Sequence, residues 1–167
     1  SSNSFYDPCA GSGGFIHTAT SYVLNNESEY KAKIFKKRVY ANECDTELTK
    51  SLMINMLLHN VPVAHIHEQD SLDYNENCRD YLHKFDKIAT NPPFGMKITH
   101  EYVEVDHFVD YWKPLVSSKK INKSSIAQFI LHILNSLKQK DGHGGIVIDR
   151  GILNNGCHVL NLIEYLF

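Results

Sequence analysis

Four consecutive residues, Asn91-Pro92-Pro93-Phe94, carry the most specific chemistry in this 167-residue chain. They suit a difficult task, alkylation of an amine whose lone pair is delocalised into an aromatic ring, as in adenine. The Asn91 side-chain oxygen and the Pro92 carbonyl can each accept one N–H of such an amine. Holding both protons favours the pyramidal, lone-pair-bearing nitrogen that develops in the transition state, an electrostatic stabilisation arranged in advance. The Pro92-Pro93 step fixes the accepting carbonyl. Phe94 offers a face on which a base swung out of a duplex could stack, an interaction worth about 1–3 kcal/mol. Standing alone, the same four residues would be a stiff turn with a buried aromatic.

A second segment supplies what the first would need beside it. Gly11-Ser12-Gly13-Gly14 follows a short apolar stretch and precedes apolar residues at helical spacing. Such a loop lets backbone approach a ligand, and its amides form a polar cradle at the helix N-terminus. It would suit a dinucleotide as well as S-adenosylmethionine. Glu43, at the end of the next strand, could accept both hydroxyls of a ribose in either case.

These segments need a scaffold, and the chain reads as alternating strands and helices. A strand from Phe5 leads into the Gly loop, and Phe15, Ile16, Ala19, Tyr22 and Val23 then repeat at helical spacing. Residues 38–43 read as a second strand. A helix over about residues 46–60 presents Leu48, Leu52, Met53, Met56 and Leu57, with Pro62 beyond its end. A third strand, 64–69, closes at Asp70-Ser71-Leu72, and a fourth, 85–90, runs into Asn91, where two prolines forbid further pairing. Ile126, Phe129, Ile130, Ile133, Leu134 and Leu137 form one helical core stripe, with Ser125 and Gln128 as a capping box. Residues 146–148 read as a fifth strand buried on both faces. This alternation predicts an α/β fold, a doubly wound, mainly parallel sheet with helices on both faces. In such a sheet the loops after the first and fourth strands face one crevice. The Gly loop and Asn91 would then lie side by side.

Asp7-Pro8-Cys9-Ala10-Gly11-Ser12-Gly13-Gly14-Phe15 followed by Asn91-Pro92-Pro93-Phe94-Gly95 resembles the modification (M) subunits of type I restriction–modification systems, a family of adenine-specific DNA methyltransferases. Ile126-Ala127-Gln128-Phe129, Gly144-Gly145-Ile146-Val147-Ile148 and Gly151-Ile152-Leu153 resemble that family's helix and fifth strand, so the resemblance covers about residues 5–155 and leaves 156–167 open. The resemblance implies a Rossmann-like S-adenosylmethionine-dependent methyltransferase core, one catalytic domain over 1–167 that is a fragment lacking the C-terminal strands. It implies that Asp7 and Cys9, Ala10, Gly11, Ser12, Gly13 and Gly14 line the cofactor's methionine moiety and that Glu43 holds the ribose. Asp70 would take the cofactor's adenine amine, with Ser71 and Leu72 beside it. Asn91, Pro92 and Phe94 would form the catalytic target-base site, with Pro93 also in contact with substrate. The implied partners are double-stranded DNA and the system's specificity (S) and restriction (R) subunits. Two departures stand out: Asp149-Arg150 replaces a proline-containing turn, and Cys9-Ala10 reverses the commoner order.

Composition narrows the classes further. A net charge of −2 argues against holding nucleic acid by bulk electrostatics, so DNA contact must be local. The best basic stretch is 113–123, where Lys119, Lys120 and Lys123 could meet phosphates or simply form a solvated loop. Cys9, Cys44, Cys78 and Cys157 show no metal or disulfide spacing. His65 and His67 alternate onto one strand face without a third ligand at a recognised spacing. No apolar run approaches a membrane span, and a cytoplasmic protein without membrane contact is expected. Three other readings stay open: an RNA or protein-glutamine amine methyltransferase with the same loop, a nicotinamide-dependent dehydrogenase, and a non-catalytic scaffold.

Overall fold

A computed structural model describes residues 3–73, 81–95 and 125–150. Its five strands are β1 (Phe5–Asp7), β2 (Val39–Glu43), β3 (Ile66–Glu68), β4 (Lys87–Thr90) and β5 (His143–Ile146). All pair in parallel, in the order β3-β2-β1-β4-β5. From β1 the chain winds outward through β2 to β3, then returns to the other side of β1 for β4. Strand order therefore reverses between β1 and β4, as the alternation predicts.

The helices are α1 (Gly14–Asn26), α2 (Glu29–Lys36), α3 (Thr46–Leu58) and α4 (Ser125–Ser136). Asp45 starts α3 by accepting a 2.8 Å bond from the Leu48 amide. Alternation along the strands sorts the residues into two cores. Phe5, Val39 and Ala41 pack with Ile16, Phe35, Leu52 and Met56 of α1, α2 and α3. Tyr6 and Ile88 pack with Tyr81, Phe85 and Ile133 of α4 on the opposite face. The sheet is thus covered on both faces. At its amino end, Asp86 accepts bonds from the Ser4 amide, the Ser4 hydroxyl and Lys138, tying β1, β4 and the end of α4 together. Burial works to raise the Asp86 carboxyl, but those bonds prevail and hold it down at about 2.

Several local features depart from the sequence reading, which has no element between the first helix and the second strand. Helix α2 buries only Ala32 and Phe35, too little for a stripe to read; Ser28, whose hydroxyl accepts from the Lys31 amide, marks its start. On α3 the buried set is Thr49, Leu52 and Met56, while Leu48 and Leu57 are exposed. Strand β5 begins at His143 rather than 146, and its residues are mostly exposed rather than buried on both faces. It is an edge of the described sheet, paired to β4 alone. His65 lies in a 3-10 turn, Val63–His65, stacked 4.3 Å from the Tyr40 ring. Lys119, Lys120 and Lys123, Gly151 to Leu153, Cys78 and Cys157 lie outside the described residues.

Candidate active site

At the carboxyl ends of β1, β2, β3 and β4 the chain encloses a cleft of about 340 Å³. Its lining includes Cys9, Gly11, Glu43, Asp70, Ser71, Asn91 and Pro93 from the predicted set. The Gly loop and the Asn91 loop therefore do face one crevice. Sequence reasoning missed Pro8, Cys44, Leu48, Gln69 and Phe129 as further lining. Cys44 and Gln69 adjoin predicted residues at strand ends, which is a usable signal. Phe129 carried none, because it belongs to a stripe that reads as core.

The loop after β1 is tightly built. Gly11 has φ +53° and Gly13 has φ +95°, left-handed values that glycine adopts without steric cost. A Cβ on Gly13 would come within 2.7 Å of Leu52 Cδ1 and 2.8 Å of Met56 Cε, so α3 presses directly on the loop. Asn55 of α3 donates to the Ser12 carbonyl at 2.9 Å. The Ala10 amide donates to the Asn42 carbonyl at 3.0 Å, and the Ser71 hydroxyl to the Pro8 carbonyl at 2.7 Å.

Glu43 is buried rather than a surface carboxylate. Its Oε2 accepts from the Gly11 amide at 2.8 Å and its Oε1 from the Asp45 amide at 2.9 Å. Asp70 accepts from the Leu72 amide at 2.8 Å through Oδ1, a local turn that sets its rotamer. Asp7 is fully buried under the loop; Oδ1 accepts from the Cys9 amide, whereas Oδ2 has no hydrogen bond of good geometry among the described residues. Burial pushes its carboxyl up to about 7, against smaller lowering influences from Thr90 and the Cys9 amide, with Glu43 nearby raising it further. The Cys9 thiol is raised by burial, then by the neighbouring Asp7 charge, so it is a poor nucleophile.

The loop after β4 is built differently. Pro92 is buried, while Asn91, Pro93 and Phe94 are exposed, Phe94 by 50%. Gly95 turns the chain with φ +71°. Of the remaining predicted residues, Asp7, Ala10, Gly13, Leu72 and Pro92 are buried behind the lining, and Ser12, Gly14 and Phe94 are exposed outside it. The site thus offers carboxylates at two strand ends, an apolar wall from Leu48 and Phe129, and a neutral amide facing them.

A family model described as N-6 DNA Methylase matches residues 1–165. The methylase subunit of the type I restriction enzyme EcoEI of Escherichia coli is 32% identical over 95 residues, 55% of this chain and 19% of that protein. A solved chain from work on complex assembly and conformational transition of the type I R-M system is 25% identical, with a TM-score of 0.70 over 90% of this chain and 29% of its own. The type I restriction-modification methyltransferase subunit of Streptococcus thermophilus superposes with a TM-score of 0.61 over 91% of this chain and 30% of its own; at 23% identity that likeness shows the fold alone. The chain therefore spans about a fifth of that curated relative and under a third of these solved chains.

Proposed function

This chain belongs to the N-6 DNA methylase family, and from that premise we propose that it forms the cofactor-holding and catalytic part of a longer adenine-specific DNA methyltransferase in a type I restriction–modification system. The observation that carries the reading is the meeting of Gly11, Glu43 and Asp70 with Asn91 and Pro93 around one cleft. A dinucleotide site would leave the Asn91 loop without a purpose.

The residues present fit S-adenosylmethionine. Asp7 lies buried behind the lining, its Oδ2 without a hydrogen bond of good geometry among the described residues, where its carboxylate would act on the cofactor's cationic end through the wall rather than by contact. Glu43 would take the ribose and Asp70 the adenine amine, a reading supported by their both lining the cleft, where Leu48 and Phe129 offer apolar surface. When bound, that cofactor supplies an electrophilic methyl group. Asn91 Oδ1 and the Pro92 carbonyl then accept the two N–H groups of the target amine, and Phe94 stacks on the extruded base. Lys119 and Lys120 serve as phosphate contacts. The protein's partners are double-stranded DNA and the specificity and restriction subunits of its system.

The deciding experiment supplies the full-length protein and its specificity subunit with methyl-labelled S-adenosylmethionine and duplex DNA. Label should appear on adenine. Calorimetry with S-adenosylmethionine and NAD runs beside it, and binding of NAD alone would remove the methyltransferase reading.

A further inference from the structure

Behind the cleft, on the α4 side of the sheet, lies a network that no part of the methyl-transfer chemistry uses. Tyr6 of β1, Asn42 of β2, Ser71 after β3, Tyr81 and His132 of α4 are all buried there. Asn42 Nδ2 donates to the Tyr6 hydroxyl at 2.8 Å and to the Ser71 hydroxyl at 3.0 Å. Tyr6 Oη lies 3.0 Å from His132 Nε2, and the Tyr81 hydroxyl reaches Asn42 Oδ1 at 3.5 Å. Ser71 in turn donates to the Pro8 carbonyl.

The proton directions follow from these partners. Ser71 spends its one proton on Pro8, and Asn42 supplies both of its own. Tyr6, already accepting from Asn42, donates to His132 Nε2, which leaves that ring neutral with its proton on Nδ1. Burial keeps it neutral, since the His132 imidazole is pushed down to about 4. Every hydroxyl and side-chain amide of this network then has a directed partner. A network satisfied in this way admits one arrangement, whereas an apolar core of the same volume tolerates sliding.

We infer that this network is a positioning strut for the cofactor cleft: Ser71, Asn42, Tyr6 and His132 hold the Pro8 carbonyl and the Asp70 turn in fixed register with the helix that carries Phe129. The Ser71 hydroxyl is therefore committed behind the wall, to Pro8 and Asn42, rather than offered to a ligand. Ser71 follows Asp70 directly, and Leu72, whose amide sets the Asp70 rotamer, comes next. His132 lies three residues beyond Phe129, on a neighbouring position of the same helical surface. The strut thus ties together three parts of the cleft that are distant in sequence. Its benefit to binding rests on the cofactor reading above; its mechanical role does not.

The test uses the full-length protein with Ser71→Ala and, as a second route, Tyr6→Phe, which keeps the ring. Hydrogen exchange is followed in peptides covering residues 8–14 and 69–73, and calorimetry measures affinity for S-adenosylhomocysteine. Ser71→Ala should speed exchange in both peptides and weaken binding about tenfold, with Ser71→Thr restoring both by returning the hydroxyl. Ile133→Val, a core change on the same helix, should lower the melting temperature without either effect. Unchanged exchange in both variants, or equal loosening in Ile133→Val, would overturn the strut. If exchange responds while even the parent binds no S-adenosylhomocysteine, the strut stands and the cofactor reading falls.

Discussion

The two loops that meet across the cleft are built on opposite plans. After β1, the Pro8 and Ser12 carbonyls are held by Ser71 and Asn55, the Gly11 amide by Glu43, and Gly13 is wedged under Leu52 and Met56. After β4, a buried Pro92 anchors the chain while Asn91, Pro93 and Phe94 remain exposed. The difference matches what the proposed function asks of each. A small ligand that recurs in one pose rewards a loop fixed in advance, because ordering it at the moment of binding would subtract from affinity. On the proposed reading a base delivered from a duplex would have to enter at the other loop, and there the side is accessible while the Pro92-Pro93 step stiffens the backbone. The β1 loop is therefore sensitive to shape, and the β4 loop to chemistry.

Asn91→Ala puts the largest strain on that contrast. On the proposed reading it would remove an acceptor that acts only as the amine pyramidalises, so methyl transfer by the full-length protein should fall by about 10²–10³-fold. Calorimetric affinity for S-adenosylmethionine should stay within about twofold, because the β1 loop is untouched. Undiminished transfer would deny Asn91 its role. A collapse of cofactor binding would show that the two loops are not separable.

Gly13→Ala tests the other side. The added Cβ meets Leu52 and Met56 below 3 Å at a left-handed φ, and the strain of backbone and overpacking together should cost about 2–4 kcal/mol. Gly14→Ala is the internal control, since a Cβ there meets nothing within 4 Å and φ is ordinary. Thermal melts should separate the neighbours, Gly13→Ala falling well below the parent and Gly14→Ala matching it. Equal melts would mean that α3 does not brace the loop.

The same contrast marks how far the sequence could be read. Strand and helix alternation was enough to place β1 beside β4 and so to bring Gly11 and Asn91 to one crevice, because each sits at a strand end announced by glycine or proline. What stayed hidden depends on contact between distant segments. Gly144 looks like punctuation before a strand, yet it lies within β5, where a Cβ would meet Ile133 Cγ2 at 2.9 Å and Leu137 Cδ1 at 3.1 Å. Close approach of α4, rather than a turn, accounts for it. Phe129 shares its helical spacing with pure core residues, and only the packing of α4 against the sheet brings it to the cleft. Ser71 does line the cleft beside Asp70, and only the structure shows that its hydroxyl is bonded to the Pro8 carbonyl.

The smallest effect concerns charge, and again the loops should differ. Burial lifts Asp7 to about 7, above the unfolded value, so its contribution to folding is greatest below about pH 4 and is lost as pH rises through 7. A bound cation reverses that cost, because it favours the carboxylate. Affinity for S-adenosylmethionine should therefore rise about tenfold from pH 6 to pH 8, with proton release measurable by calorimetry in buffers of different ionisation enthalpy. Asp7→Asn should flatten the profile. Asn91 and Phe94 carry no titrating group, so with cofactor saturating, the dependence of transfer on DNA concentration should keep its midpoint across the same range. A pH-independent cofactor affinity in the parent would place Asp7 away from the cation and leave its burial to be explained by the fold alone.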